Sequence, residues 1–384
     1  MWLLCWWQGW IPLPRPRPTR SPVGKEVSRF MRIIPVAVIV AALAAWAQTP
    51  PPRKPYLSSD RRALTAPELR DAPDEWIDRS LQWAGDILNG YQPAIVEHPV
   101  RRAALIRLDD ILHIESAPAK TLVQKFYRAR IERAVAEIES TRVTGGMRIW
   151  KLYNHGWFVR TPSVSLAFDI VLGTRTPGFA VDPQVMERLA DQADVMFISH
   201  MHGDHASQAV AKMFVDRNKP VVGPEGLWEG QEIAGRMTFP KRSGSTLHSL
   251  KVQGGGRELK YFAYPGHQGR SVINNVHLVT TPEGLTLVQT GDQSGDEGPG
   301  SDFDWIAHIG RDHHVDILLP NCWTTDISRV ARGANPELIL TGHENEMGHT
   351  VDHREDYTQT YNHLFGSRYP FIVMTWGESY HYRK

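Results

Sequence analysis

The chain predicts an α/β fold preceded by a helical segment. Three observations carry that reading. Between residues 147 and 384 short apolar runs alternate with turns and helical pieces, residues 65–142 hold a helical pattern, and no repeat or long low-complexity tract follows Pro52. Apolar runs of about 4–8 residues bounded by Gly, Pro, Asn or Asp read as buried strands, and helices between such strands cover a sheet. The chain has 384 residues, 41% hydrophobic and 22% charged, enough for one large domain or two modest ones. Its 43 basic and 42 acidic side chains create no overall field that would draw nucleic acid. The expected partner is a small-molecule or lipid substrate, with the oligomeric state left open.

Residues 31–47, "MRIIPVAVIVAALAAWA", place Arg32 before an apolar run that ends in the small residues Ala45 and Ala47. This is the pattern of a secretory signal cleaved between Ala47 and Gln48, so a periplasmic or extracellular protein is expected. The run falls short of the roughly 20 residues of a spanning helix, so no integral membrane span is expected after cleavage; a retained anchor is the alternative. Residues 1–30 show neither helical nor strand period, and the second methionine points to an upstream, mis-assigned start. Cys5 leaves with this extension, and Cys322 then reads as a small buried apolar residue rather than a nucleophile.

A Pro-rich linker follows at 48–60, then a helical N-terminal subdomain at 61–146. "TAPELRDAPDEWIDRSLQWAGDIL" begins with a capping residue and first-turn acids. "APAKTLVQKFYRARIERAVAEIESTR" sets Leu122, Phe126, Val135 and Ile138 near one face. The remaining domain, 147–384, holds the runs "MRIWKLYN", "SVSLAFDI", "DVMFISH", "KYFAYPGH", "LTLVQTGD", "VDILLPN", "ELILTGH" and "PFIVMTWG", with "ASQAVAKMFVDR" and "DFDWIAHIG" as helices.

Four of these runs end in side chains able to bind a metal: His200, His267, Asp292 and His343. In layered α/β folds ligands bind beyond the carboxyl ends of strands, so such endings converge. The densest is "HMHGDH", residues 200–205. His200 and His202 stand two apart, on one side of an extended segment, and Gly203 permits a turn that swings Asp204 and His205 to a neighbouring position. Imidazole and carboxylate together favour zinc, manganese or iron over calcium or magnesium.

"HMHGDH" resembles the HxHxDH signature of the metallo-β-lactamase-fold hydrolases, and His267, Asp292 and His343 follow in that family's order. The resemblance covers about residues 147–384 and implies a four-layer αββα fold. It implies two divalent ions, with zinc expected and manganese or iron compatible. His200, His202 and His267 would hold the first; Asp204, His205 and His343 would hold the second, with Asp292 bridging. Asp169 matches the family's structural aspartate. His277 competes with His267, which is preferred because it ends a strand in a Gly-containing turn.

The implied activity is hydrolysis of an ester, lactone, amide or phosphodiester by a metal-activated water, with Asp204 as the candidate proton acceptor. The chain looks nearest to lactonase-like and N-acyl-phosphatidylethanolamine phospholipase D-like members, the latter being phosphodiesterases. The alternatives are a mononuclear iron dioxygenase of the same fold and a non-catalytic metal-binding protein. Glu344, Glu346, His349 and His353 stand where partners of the ligands are expected, and His155 is read as a surface or hydrogen-bonded residue, with a place at the site rim as the alternative. His313 and His314 are read as surface or hydrogen-bonded residues.

Overall fold

A computed structural model of the chain describes residues 72–174, 178–252, 258–294, 304–324 and 327–384, all within the unit spanning residues 55–384. The signal-like segment, Cys5, the Pro-rich linker and the start of the first expected helix lie outside the described residues.

Helix α1 (Asp74–Gly90) starts behind Pro73, with Asp74 and Glu75 in its first turn, where they complement the helix dipole. Helix α2 (Pro99–Leu112) opens with Pro99 at its first position, where a missing amide costs no hydrogen bond. Helix α3 (Thr121–Ser140) buries Val123, Tyr127, Ile131, Ala134, Val135 and Ile138, which recur every three or four residues. This corrects the expected face: Leu122 and Phe126 are only half-buried, because the stripe is centred one position later.

The strands form two sheets. In the first, the order is β13-β1-β2-β3-β4-β5, with β1 (Met147–Lys151), β2 (Trp157–Arg160), β3 (Ser165–Phe168), β4 (Val195–Phe197), β5 (Val221–Val222) and β13 (Glu378–Tyr382). In the second, the order is β12-β11-β10-β9-β8-β7-β6. Its members are β6 (His248–Lys251), β7 (Glu258–Gln268), β8 (Val272–Thr280), β9 (Thr286–Gln289), β10 (Val315–Leu319), β11 (Pro336–Leu340) and β12 (Phe371–Ile372). Strands β3, β4 and β5 run parallel, as do β9, β10, β11 and β12.

Side-chain alternation divides the core into three. Leu166, Phe168, Val195 and Phe197 face Leu287, Ile317, Leu319 and Leu340 between the sheets. The intervening Ala167 and Met196 turn outward, into a core shared with α1, α2, α3, α4 (Pro183–Gln192) and α5 (Gln208–Val215). On the far side Val288, Leu318 and Ile339 pack under α6 (Asp304–Asp312) and α7 (Ile327–Ala334), joined by Leu364 of α8 (Tyr357–Leu364). The layers are therefore helix, sheet, sheet, helix, the αββα arrangement expected. Central strands such as β3, β4, β9 and β10 are buried on both faces because the sheets are covered on both. No helix among the described residues is long and apolar enough to cross a membrane.

Candidate metal centre

The parallel strands β4, β9 and β11 all point their carboxyl ends to one edge of the sandwich. Three residues beyond each stand His200, Asp292 and His343. Their backbones leave the strands through turns: Gly291 has φ +53° and His343 has φ +76°. A Cβ on Gly291 would come 2.3 Å from the Asn274 side chain, so glycine is required there on two grounds. His343 holds a left-handed conformation that a side chain adopts at a cost of about 1–3 kcal/mol.

The donor atoms of Asp204, His205, Asp292 and His343 lie within 4.8 Å of one another. Asp292 is the pivot. Its Oδ1 stands 3.1 Å from His205 Nε2, and its Oδ2 stands 3.2 Å from His343 Nε2 and 3.7 Å from His200 Nε2. Asp204 Oδ2 closes the group at 3.2 Å from His205 Nε2 and 3.3 Å from His343 Nε2.

Three further candidates flank this group. His200 is wholly buried, with its ring 4.3 Å from that of His205. His202 is exposed and reaches the cluster through His200, their ring centroids 4.8 Å apart. His267, the penultimate residue of β7, is buried beside the Asp292 segment: its amide donates to Gln293 Oε1 at 3.1 Å, and its carbonyl accepts from Ser294 N at 3.0 Å. His277 instead lies in the layer between the sheets, its ring 5.1 Å from Phe197.

The outer nitrogens of two imidazoles are fixed from behind. Asp169, just past β3 at φ +46°, accepts from Ser199 N (2.7 Å), Ser199 Oγ (2.7 Å), His205 Nδ1 (3.0 Å) and Gln289 Nε2 (2.6 Å). Ser199 Oγ also lies 3.0 Å from His200 Nδ1. Such partners orient the ring and leave Nε2 aimed at the carboxylates. Burial opposes the charge on Asp169, but the His205 hydrogen bond and nearby imidazoles outweigh it and hold its pKa below the ordinary carboxylate value.

The electrostatics fit a cation. Burial alone would lower the pKa values of His205 and His343, yet Asp292 and Asp204 drive both well above the usual imidazole value. The same contacts hold Asp204 and Asp292 well below theirs against the opposing effect of burial. The buried Asp292 and the half-buried Asp204 thus draw positive charge to one point, and a metal ion would deliver it there. The Nε2 atoms of His200, His205 and His343 have no hydrogen-bond partner, which leaves their lone pairs available as ligands.

Several residues outside the motif complete the site. Asn154 Nδ2 donates to Asp204 Oδ2 at 3.1 Å, and Gln268 Nε2 donates to Asp292 Oδ2 at 3.0 Å. Asn274 Oδ1 accepts from the Asp292 amide at 3.1 Å. Isolated amide side chains of this kind carry no sequence signal of such roles. Lys151 does: a lysine inside the apolar run "MRIWKLYN" needs a buried partner, and it has one in Glu344.

His155 is neither on the surface nor at the site rim. It is wholly buried behind His205, ring centroids 5.9 Å apart, because the β1–β2 turn tucks inward against Gly342. Burial pushes its pKa down to about 3, so the ring is neutral. Glu344 and Glu346 are buried and paired, His349 is half-buried with its ring 5.6 Å from that of His343, and His353 is exposed. His314 is half-exposed beside Asp316, and His313 packs on Phe262. Cys322 is buried, as expected.

Fold and site together define an αββα sandwich whose clustered donors at strand ends could hold a metal ion. No protein-family profile matches the chain, and no curated protein does. Among solved structures it is similar to a metallo hydrolase from the archaeon Ignicoccus hospitalis, at 16% identity and TM-score 0.46, over 62% of this chain and 99% of that one. It is similar to an isothiocyanate hydrolase from Delia radicum gut bacteria, at 12% identity and TM-score 0.46, over 62% and 100%. A diiron β-hydroxylase from Streptomyces venezuelae matches at 13% identity and TM-score 0.44, over 63% of this chain and 55% of that one.

Proposed function

We propose that the chain is a metal-dependent hydrolase of the metallo-β-lactamase superfamily, near its lactonase-like and N-acyl-phosphatidylethanolamine phospholipase D-like members. The substrate would be an ester, lactone, amide or phosphodiester. One observation carries the reading: Asp292 stands within 3.7 Å of His200, a candidate ligand of one ion, and within 3.2 Å of His205 and His343, candidate ligands of the other. In this reading His200, His202 and His267 hold one ion, Asp204, His205 and His343 the other, and zinc is the first candidate. Bound there, the two ions supply an activated water and polarise the scissile bond.

The chain's own residues then divide the work. Asp169 and Ser199 lock the rings of His205 and His200, so the ligand nitrogens need no reorganisation. Asn154 occupies one lone pair of Asp204 Oδ2, and that side chain, 18% exposed, is the carboxylate with a path to solvent. It is therefore the group placed to accept a proton from the attacking water and release it. Gln268 restrains Asp292 from the opposite side.

The test is metal analysis of the purified full chain alongside a panel of lactones, esters, amides and phosphodiesters. Two equivalents of zinc with turnover of one class is expected. One iron per chain would replace the hydrolase with a dioxygenase, and a zinc-loaded but inert chain would make it a binding protein. We propose export on the pattern of residues 31–47; intact mass of the secreted protein should place its first residue at Gln48.

A further inference from the structure

The three residues after His343 are each gripped by a different part of the fold. Glu344 accepts from Lys151 of β1 and from Thr360 Oγ1 at 3.2 Å. Glu346 accepts from Tyr153 Oη at 2.6 Å and from the His349 amide at 2.7 Å. Between them Asn345 Nδ2 donates to Asp109 Oδ1 at 2.9 Å, and Asp109 belongs to α2, outside the region that carries every ligand candidate.

Asp109 does more than meet Asn345. It accepts from Tyr357 N at 2.9 Å and from Thr358 N and Oγ1 at 3.1 Å each, at the start of α8. The end of α2 makes further ties to the same stretch: Arg354 Nη1 donates to Leu112 O at 2.6 Å, and His113 Nε2 lies 2.6 Å from Arg354 O. The Asn345 amide donates back to Glu355 O at 2.7 Å. Segment 345–358 is thus fastened to α2 and its end at Asn345, Arg354, Tyr357 and Thr358.

The fastening matters because of the backbone it holds. His343 and Asn345 both adopt left-handed φ, at +76° and +59°. Two such residues around Glu344 relax towards ordinary φ unless held from outside, and any relaxation turns the His343 ring away from Asp204 and Asp292. Among the described residues the Asn345 side chain has one hydrogen-bond partner, and that partner is Asp109.

We propose that Asp109 is a positioning residue of the metal centre: α2, acting through Asn345, holds the left-handed turn that aims His343 at Asp204 and Asp292. This rests on the metal-centre reading above. It gives the N-terminal helices a role in the site, as the outer wall of the turn that delivers its last ligand.

The decisive variant is Asn345→Gly in the full chain. Glycine takes a left-handed φ without strain, so the handle is lost while the turn remains accessible. Zinc affinity, read by competition with a chromogenic chelator, should fall at least tenfold at the weaker site, in line with loss of an outer partner of a ligand. The thermal midpoint of the metal-free chain should move by no more than about 4 °C. Asp109→Ala should lose zinc affinity to a similar extent, and the double variant should bind no more weakly than the weaker single one, because both remove one linkage.

A glycine variant that binds zinc like the parent, or losses that multiply in the double variant, would overturn the inference while leaving the metal-centre reading intact. A parent chain that takes up no zinc overturns both. If Asp109→Ala does not fold, Asn345→Gly alone still decides.

Discussion

Lys151 Nζ donates to the Glu344 carboxylate directly behind His343, and both side chains are wholly buried. The lysine also donates to Thr341 O at 3.0 Å and Met374 O at 2.7 Å, so all three of its protons are used. Lys151→Met would leave Glu344 charged and unpaired in the core, which costs about 3–5 kcal/mol. Urea unfolding should show that loss for the single variant and a much smaller one for Lys151→Met with Glu344→Gln. Equal losses in the two would mean that the pair is not the source of the stability.

The two candidate histidines of the second sheet should separate cleanly. His267→Ala is expected to lower metal content, since His267 stands beside the Asp292 segment. His277→Phe should leave it unchanged, because that ring lies between the sheets, where burial pushes its pKa down to about 4. Metal content per chain after dialysis reads both, and loss of metal in His277→Phe would reverse the assignment.

Gly342 and His155 are packed too closely for any side chain at 342: a Cβ there would lie 2.6 Å from His155 Nδ1. Gly342→Ala should cost about 1–3 kcal/mol by overpacking. Adding His155→Ala makes room, so the double variant should recover part of that loss, with a coupling on the order of 0.5–3 kcal/mol. Strictly additive losses would show that the strain is relieved elsewhere.

Asp109 sets a pH dependence whose sign follows from its environment. Burial raises its pKa from 3.8 to about 7, more than the hydrogen bond from Asn345 lowers it. Between about pH 4 and pH 7 the folded chain therefore holds a proton that the unfolded chain has released. Stability falls as pH rises through that window, by about 1.4 kcal/mol per unit, and the penalty is constant above it. The stability of Asp109→Asn relative to the parent should rise from pH 4 to pH 7 and then level off. A flat difference in chemical denaturation across that range would show that Asp109 titrates normally.

Much of the site was legible along the chain because metal ligation imposes residue types. "HMHGDH" after a buried run, and Asp292 and His343 after two others, announce themselves because imidazoles and carboxylates seldom stand at buried strand ends without cause. Elements set by local pattern were legible too: the runs that became β1, β3, β4, β9, β10 and β11, and helices α3, α5 and α6. A short piece such as β5, two residues long, was not, since pairing with a neighbour rather than its own sequence makes it a strand.

What only the tertiary structure decided is how those residues are held. That Asp292 is the pivot, that Asp169 locks His205, and that His155 lies behind the cluster all depend on which strand ends meet. So does the grip of Lys151, Asp109 and Tyr153 on Glu344, Asn345 and Glu346, which spans some 190 to 240 positions of the chain. By itself the sequence determined the donor types and their order, because coordination chemistry selects side chains one at a time. The positions of those donors belong to the fold, because a left-handed turn such as that at His343 persists only when distant parts of the chain close around it.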